Sequence, residues 1–510
     1  MQPTHHLPAL LAAAGLLFQT TVYAGTGEAP AAKTEPTPKE TLAQPSWKLG
    51  DPIQFLDGKL VFDAQERLRV ELRNNNFDFA DSVNGPQDDT FLLQRFRIGA
   101  LYKPLNWLKF YGSGQDSREL FSEDRPNTPF VFASEGDNTF NLREAWTEIG
   151  DLANFPVSGK IGRQAFIYGD ERLIGAFDWN NFGRTFDAAK LTIQATQKLS
   201  IDLFASSVVH MEGYEPLDGD HDWEFNESDF QDDAFAGVYA TDKSGLISFQ
   251  QTELYFLYRN KDGNGPNYKL TAASPNGFAY DLDQETYTVG GRIKSTSPGR
   301  LKGFDYEADF AYQFGTFALP ATGAGGRGLQ NGLAQSAFAA HVAGGYNWEL
   351  APWTPRLGFD YAVASGDSDP TDTRSESFSN LFPTNHKFYG YMDAFSWKNI
   401  HDPSINLTLK PDTKITLRID HHAFFLYTNE DAWYRANAVT AVRPLNAAAR
   451  NASTFIGQET DFNVTYAHTK WHSILLGYSH FWAGDYVRQT SAARAQDGAD
   501  FFYLQSTLKF

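Results

Sequence analysis

The sequence predicts an all-β chain, a transmembrane, antiparallel, up-and-down β-barrel of about eighteen strands. Three observations predict it. Period-two alternation recurs down the chain, with aromatic residues on one parity and full charges on the other. Tight turns and long connections alternate between these runs. The chain stops on FFYLQSTLKF, an alternating strand ending on Phe510, where a soluble domain would usually fray into polar residues.

From the N-terminus, LPALLAAAGLLFQTTVYA predicts a signal peptide over 1–24. Leu7–Phe18 is the apolar core, and Val22 and Ala24 are the small residues at the cut. His5 and His6 stand where Lys or Arg is usual. A spanning helix would need about 20 apolar residues, and no later segment supplies them. Residues 25–46, rich in Ala, Pro, Thr and Glu, predict a disordered linker, which leaves 47–510 as one barrel domain. The absence of Cys excludes disulfides and thiolate chemistry. A net charge of −19 argues against nucleic acid as a partner.

The strands carry the argument. In FDYEADFAYQF, Phe304, Tyr306, Ala308, Phe310, Tyr312 and Phe314 share one face, and Asp305, Glu307, Asp309 and Gln313 the other. RLRVELR sets Leu68, Val70 and Leu72 against Arg67, Arg69, Glu71 and Arg73. QRFRIGALY sets Phe96, Ile98, Ala100 and Tyr102 against Arg95 and Arg97. Runs of about ten residues match a tilted crossing of the bilayer. Lipid admits only helices and closed barrels, because unpaired backbone groups there cost several kcal/mol each. The predicted strands lie near 61–73, 91–104, 106–116, 139–149, 157–167, 186–197, 199–210, 233–242, 246–259, 284–295, 303–315, 334–348, 355–366, 402–410, 413–427, 455–468, 471–484 and 500–510. KPLN (103–106) and KPDT (410–413) are tight turns for the periplasmic end; long extracellular loops include 168–185 and 367–401. The last strand must pair with the first, so it cannot fray. Phe510 also resembles the terminal signal read by the barrel assembly machinery.

Eighteen strands leave an aqueous lumen. Parity points Arg67, Arg69, Arg95, Arg97, Lys109, Lys190, Arg292 and Arg418 inward, with Glu71, Glu144, Glu148, Asp305, Glu307, Asp309, Asp360, Asp420 and Asp461. Arginine forks suit carboxylates, so the first strands could make a path for a polyanion. Alternatively the charges pair and stiffen the wall; parity leaves both readings open. No cofactor is expected. DGDHDWEFNESDFQDD (218–233) alternates acids as a calcium loop does, but Trp223 replaces the required glycine, leaving only an irregular Ca²⁺ site there. Asp420–His422 and His480 make a poor metal site, since His421 and His422 face opposite ways. GAGGRG (323–328) precedes no helix and reads as a loop. No G-x-S-x-G appears, and the inward acids are dispersed, which argues against an outer-membrane hydrolase.

Several segments resemble the alginate export family of outer-membrane barrels. They are REAW (143–146), IGRQ (161–164), FDWNNFGRTFDAAKL (177–191), SGDSDP (365–370) with LFPTNHKFYGYMD (381–393), and IGQETD (456–461). The resemblance implies an eighteen-stranded, monomeric channel in the outer membrane of a Gram-negative bacterium, surrounded by its lipid. It would pass an anionic polysaccharide or its oligomers by diffusion, and an exporter would need a periplasmic partner. It also implies a channel lined by arginines, carried over here to Arg143 and Arg163, with Glu144 and Gln164 beside them. Many inward carboxylates depart from that pattern and keep a second reading in play, a general or sugar-type porin for small polar solutes.

Overall fold

The computed structural model describes residues 50–75, 88–121, 138–209, 233–244, 250–261, 284–296, 301–319, 330–438, 441–443, 445–491 and 497–510. The predicted signal peptide and linker, residues 218–232 of the acidic segment and the glycine run 323–328 lie outside them.

Among the described residues, twenty strands form one sheet. They are β1 (Ile53–Phe55), β2 (Leu60–Asn74), β3 (Asp89–Leu105), β4 (Leu108–Leu120), β5 (Asn138–Gly150), β6 (Val157–Gln164), β7 (Phe186–Gln194), β8 (Leu199–Val208), β9 (Asp233–Asp242) and β10 (Gln250–Lys261). There follow β11 (Gln284–Ser295), β12 (Phe304–Leu319), β13 (Gln330–Asn347), β14 (Arg356–Ala364), β15 (Arg374–Ser375), β16 (Ile400–Asp412), β17 (Ile415–Leu426), β18 (Phe455–Ala467), β19 (His472–Ala483) and β20 (Gly498–Lys509). Short β1 lies along the start of β2, and two-residue β15 pairs in parallel with β13. The other eighteen each pair antiparallel with the next, β14 pairing with β16, and β20 returns to β2.

That last pairing closes the barrel. It runs from Gln65↔Lys509 to Asn74↔Asp500, and Phe510 and Ala64 exchange backbone hydrogen bonds of 2.9 and 3.2 Å. The Phe510 ring also stacks on Trp471. The terminal strand is therefore fixed by the need to leave no open sheet edge in hydrocarbon.

Alternation sets which way the wall faces. Leu254 is 62% exposed and Phe359 55%, on the outside, whereas Arg69 and Glu71 on the inside are 0% exposed. A slip of one residue would turn every inner charge of a strand toward lipid. For Arg at the bilayer midplane that costs roughly 2–4 kcal/mol. Register is thus strongly specified.

The apolar core lies inside the ring, because long loops fold into it. Phe166 and Phe382, from loops 165–185 and 365–399, pack with wall residues Phe186, Phe204 and Phe235. Phe395 stacks on Phe424 at 3.6 Å and leans on Trp433. Two short helices, α1 (Ala447–Arg450) and α2 (Asp485–Thr490), complete this layer. Asn446 caps α1 by accepting from the amides of Ala448 and Ala449.

Candidate functional site

Loop 165–185 leaves β6 and crosses the lumen. Its tip meets β2, β3 and β4. The Arg67 guanidinium donates to the carbonyls of Asp178 at 2.7 Å and Asn180 at 3.2 Å. Arg69 donates to the Trp179 carbonyl at 2.8 Å, and Arg95 to those of Asp178 and Asn180 at 3.0 and 3.1 Å. Arg97 pairs with the Asp178 carboxylate at 2.6 Å. The Trp179 ring lies between the Arg69 guanidinium, 3.8 Å away, and the stacked His386 ring, 3.6 Å away. Each charged hydrogen bond contributes about 1.5–3 kcal/mol, and a desolvated cation–π contact about 2.

The root of the same loop reaches the opposite side. Arg172 donates to Asp170 at 2.9 Å, to the Tyr389 hydroxyl at 3.1 Å and to Asp360 of β14 at 3.4 Å, and its guanidinium lies 2.9 Å from the His341 ring of β13. Between tip and root, a parallel bridge joins Ile174 to Phe382 of loop 365–399. Gly175 donates to the Phe382 carbonyl and Phe382 to that of Leu173, both at 2.8 Å. The two loops therefore form a bar across the channel.

Electrostatics follow from this crossing. Burial alone would raise the Asp178 carboxyl, but Arg95, Arg97 and Arg67 overcome it and hold it well below the usual carboxylate range. For Arg184, burial beside Arg259 and Arg143 pulls the guanidinium down to about 9, which leaves it cationic at neutral pH. Gly183 takes φ +76°, a left-handed conformation that favours glycine, and this turn carries the chain past the end of the Arg143 side chain.

The arginines of the first strands thus stand elsewhere than on an open wall. Arg67, Arg69 and Arg95 are enclosed beneath the loop, and Glu71 is sealed between Arg69 and Arg73. Arg97, 17% exposed at its side chain, and Asp178, 52% exposed, are the groups of this cluster that meet solvent. The remaining inward charges pair mostly with strand neighbours. These pairs are Lys109–Glu148, Lys190–Asp202, Arg292–Glu307, Asp305–Arg356, Arg418–Asp420 and Asp360–His341. Asp309 accepts from the Tyr255 hydroxyl, and Asp461 from the Ser479 hydroxyl.

One residue requires a correction. Arg163 pairs in register with Ala145 and Asp187 and shares the parity of Ile161, which is 62% exposed; its ion pair with Asp187 lies on the outer face. Gln164, 1% exposed, is the inward residue of that motif. Arg143 and Glu144, although adjacent, both turn inward. A β-bulge explains this: Ser113 pairs with Glu144 and Gly114 with Leu142, so Arg143 is the extra residue. Parity alone also missed Arg172, Asp178, Trp179 and Arg184. The available signal was the aromatic content of loop 165–185 (Phe177, Trp179 and Phe182), unusual for a solvated connection.

The two sides of the ring differ in their share of arginine. On β2–β5, six inward arginines (Arg67, Arg69, Arg73, Arg95, Arg97 and Arg143) share the wall with the inward carboxylates Asp63, Glu71, Asp89, Glu119, Glu144 and Glu148; at the loop tip itself, Arg67, Arg69, Arg95 and Arg97 meet one loop carboxylate, Asp178. Nine strands round from β3 stands β12. From β12 to β18 the wall turns inward Asp305, Glu307, Asp309, Asp360, Asp402, Asp420, Glu459 and Asp461, and the arginines of those wall strands are Arg356 and Arg418.

Comparison with known proteins agrees with this architecture. Solved structures of Pseudomonas aeruginosa OccD3 (OpdP) and OpdQ and of Acinetobacter baumannii OccAB4 each superpose with a TM-score of 0.50. Their identities are 10%, 11% and 12%; the matches cover 90%, 88% and 88% of this chain and 93%, 98% and 98% of theirs. At such identity they establish the barrel fold alone. No curated protein matches the sequence significantly. The Alginate export family matches residues 59–499, most of the chain. With a closed eighteen-strand barrel, a lumen crossed by its own loops and that match, the chain belongs to the alginate export family and is a channel of the Gram-negative outer membrane.

Proposed function

We propose that this channel passes an anionic polysaccharide of the alginate type, or its oligomers, along the arginine-rich side of the lumen. The observation that carries the reading is the cluster of four arginines, Arg67, Arg69, Arg95 and Arg97, that meets the tip of loop 165–185 against one loop carboxylate, Asp178. A uronate chain repeats a carboxylate on every sugar, and guanidinium forks bind carboxylates in two-point contacts. Such a contact, shared with the loop and therefore weak toward cargo, lets a polymer enter and still leave. Arg97 is the group assigned to contact the cargo, and Arg67, Arg69 and Arg95 hold the loop beside it. No bond is made or broken.

A second reading, a porin for small polar solutes, is favoured by the aromatic core that occupies part of the lumen and by the acidic wall opposite. Reversal potentials in a salt gradient across a planar bilayer separate the two. Clear anion preference, with flux of labelled oligouronates into proteoliposomes, supports the first reading; weak selectivity with equal flux of neutral oligosaccharides supports the second. For assembly, Phe510 at the closing seam is proposed as the residue read by the barrel assembly machinery, and export would engage a periplasmic partner. The barrel is proposed to work as a monomer.

A further inference from the structure

We propose that Asp170, Glu307 and the Nδ1 atom of His341 form a divalent-cation site that staples loop 165–185 to the wall. One ligand atom from each residue, a ring nitrogen in the case of His341, lies within 4.8 Å of the others. They come from three separate elements: the root of the loop, β12 and β13. The His341 side chain is 1% exposed, and its Nδ1 is buried with no hydrogen-bond partner. Its other nitrogen, Nε2, donates to Asp360 at 2.7 Å, the tautomer that leaves the lone pair on Nδ1. A buried, oriented nitrogen without a partner costs free energy unless something binds it. A metal ligand is its common use, with a carboxylate orienting the far side of the ring.

Charge favours a cation. Glu253, Asp309 and Asp360 join Asp170 and Glu307, so five carboxylates meet three cations, Arg172, Arg292 and Lys294. Lys294 is an exposed arm that reaches Glu307 at 3.2 Å, a contact an incoming dication would replace. A void of about 10 Å³, the size of one water, opens beside Asp170 and Asp309 and could take a water ligand. One nitrogen and two carboxylate oxygens suit a first-row transition ion such as Zn²⁺ better than Ca²⁺, which takes oxygen ligands alone. Tetrahedral zinc would draw its ligands to roughly 3.4 Å apart, a closure that falls to the Asp170 and Glu307 side chains because the His341 ring is held.

The test uses the full barrel, purified in detergent, stripped with chelator and titrated calorimetrically with ZnCl₂. Wild type is expected to bind one equivalent saturably and to melt at a higher temperature once loaded. His341→Ala and Glu307→Gln should each weaken that binding about tenfold or more, while heat-modifiable migration on gels shows that both variants remain folded barrels. Absence of saturable binding to wild type would overturn the proposal. So would unchanged affinity in both folded variants, which would place the zinc on surface histidines instead.

Discussion

The two sides of the lumen are built from the same alternating strands yet treat their charges differently. On β2–β5, arginines point at the backbone of a loop, and carbonyl dipoles absorb much of their hydrogen bonding. On β12–β18, carboxylates find side-chain partners: Asp305 with Arg356, Asp360 with His341, Asp402 with His422 and Asp420 with Arg418. Carbonyl acceptors leave a guanidinium's charge standing, whereas an ion pair cancels it. At the loop tip, guanidinium charge therefore outnumbers its carboxylate partners, whereas on the opposite wall the two arginines, Arg356 and Arg418, are each matched by an aspartate.

Removing the loop from its socket should break this contrast most visibly. A double variant, Trp179→Ala with Asp178→Ala, loses the cation–π contact and the anchoring ion pairs. Single-channel conductance is expected to rise several-fold as the bar withdraws; unchanged conductance would mean that the loop does not set the narrow point. Next in size, Arg97→Glu should lower anion preference several-fold, because this side chain meets solvent. Arg95→Glu should act mainly on conductance, since that residue is enclosed beneath the loop. Equal selectivity effects at the two positions would contradict the division between contact and socket.

Neutralising the other side should matter less. Asp360→Asn removes a carboxylate already paired with His341 and Arg172, so anion preference should rise only slightly, as read from reversal potentials. Smallest is the expected response to mild acid. Burial opposes ionisation of Asp178, but its arginines hold the carboxyl below the usual range. Its contribution to docking is present above the ordinary carboxylate pKa of about 3.9 and is lost only as pH falls through the lowered value. Conductance should therefore stay level from neutral pH to about pH 4 and rise in stronger acid. A transition near pH 4 would show that Asp178 is not held by the arginines.

Much of the fold was legible in the sequence, because a membrane barrel writes its geometry locally. Residue i and residue i+2 face the same solvent, so Phe310, Tyr312 and Phe314 against Asp309 and Gln313 reveal a strand without any distant contact. The eighteen wall strands fall within a few residues of their predicted positions, and the closing β20 joins β2. Short β1 and β15 escaped because three and two residues carry no period. The site was harder to read. Arg67 and Asp178 are 111 residues apart, and nothing in either neighbourhood announces the other. A bulge at Arg143 breaks the parity on which the reading relied, and Arg163 turns outward although its motif resembles one from a lumen. The candidate metal ligands at 170, 307 and 341 share no spacing at all. Where function depends on a loop returning into the barrel, strand parity gives the wall but not what covers it.

The most direct test of the central claim is current blockade in a planar bilayer holding the purified barrel. Adding a polyuronate to one side should produce reversible, voltage-dependent closures, and a neutral glucan of the same length should leave the current untouched. Equal blockade by both polymers, or blockade by neither, would contradict passage of a polyanion along the arginine side.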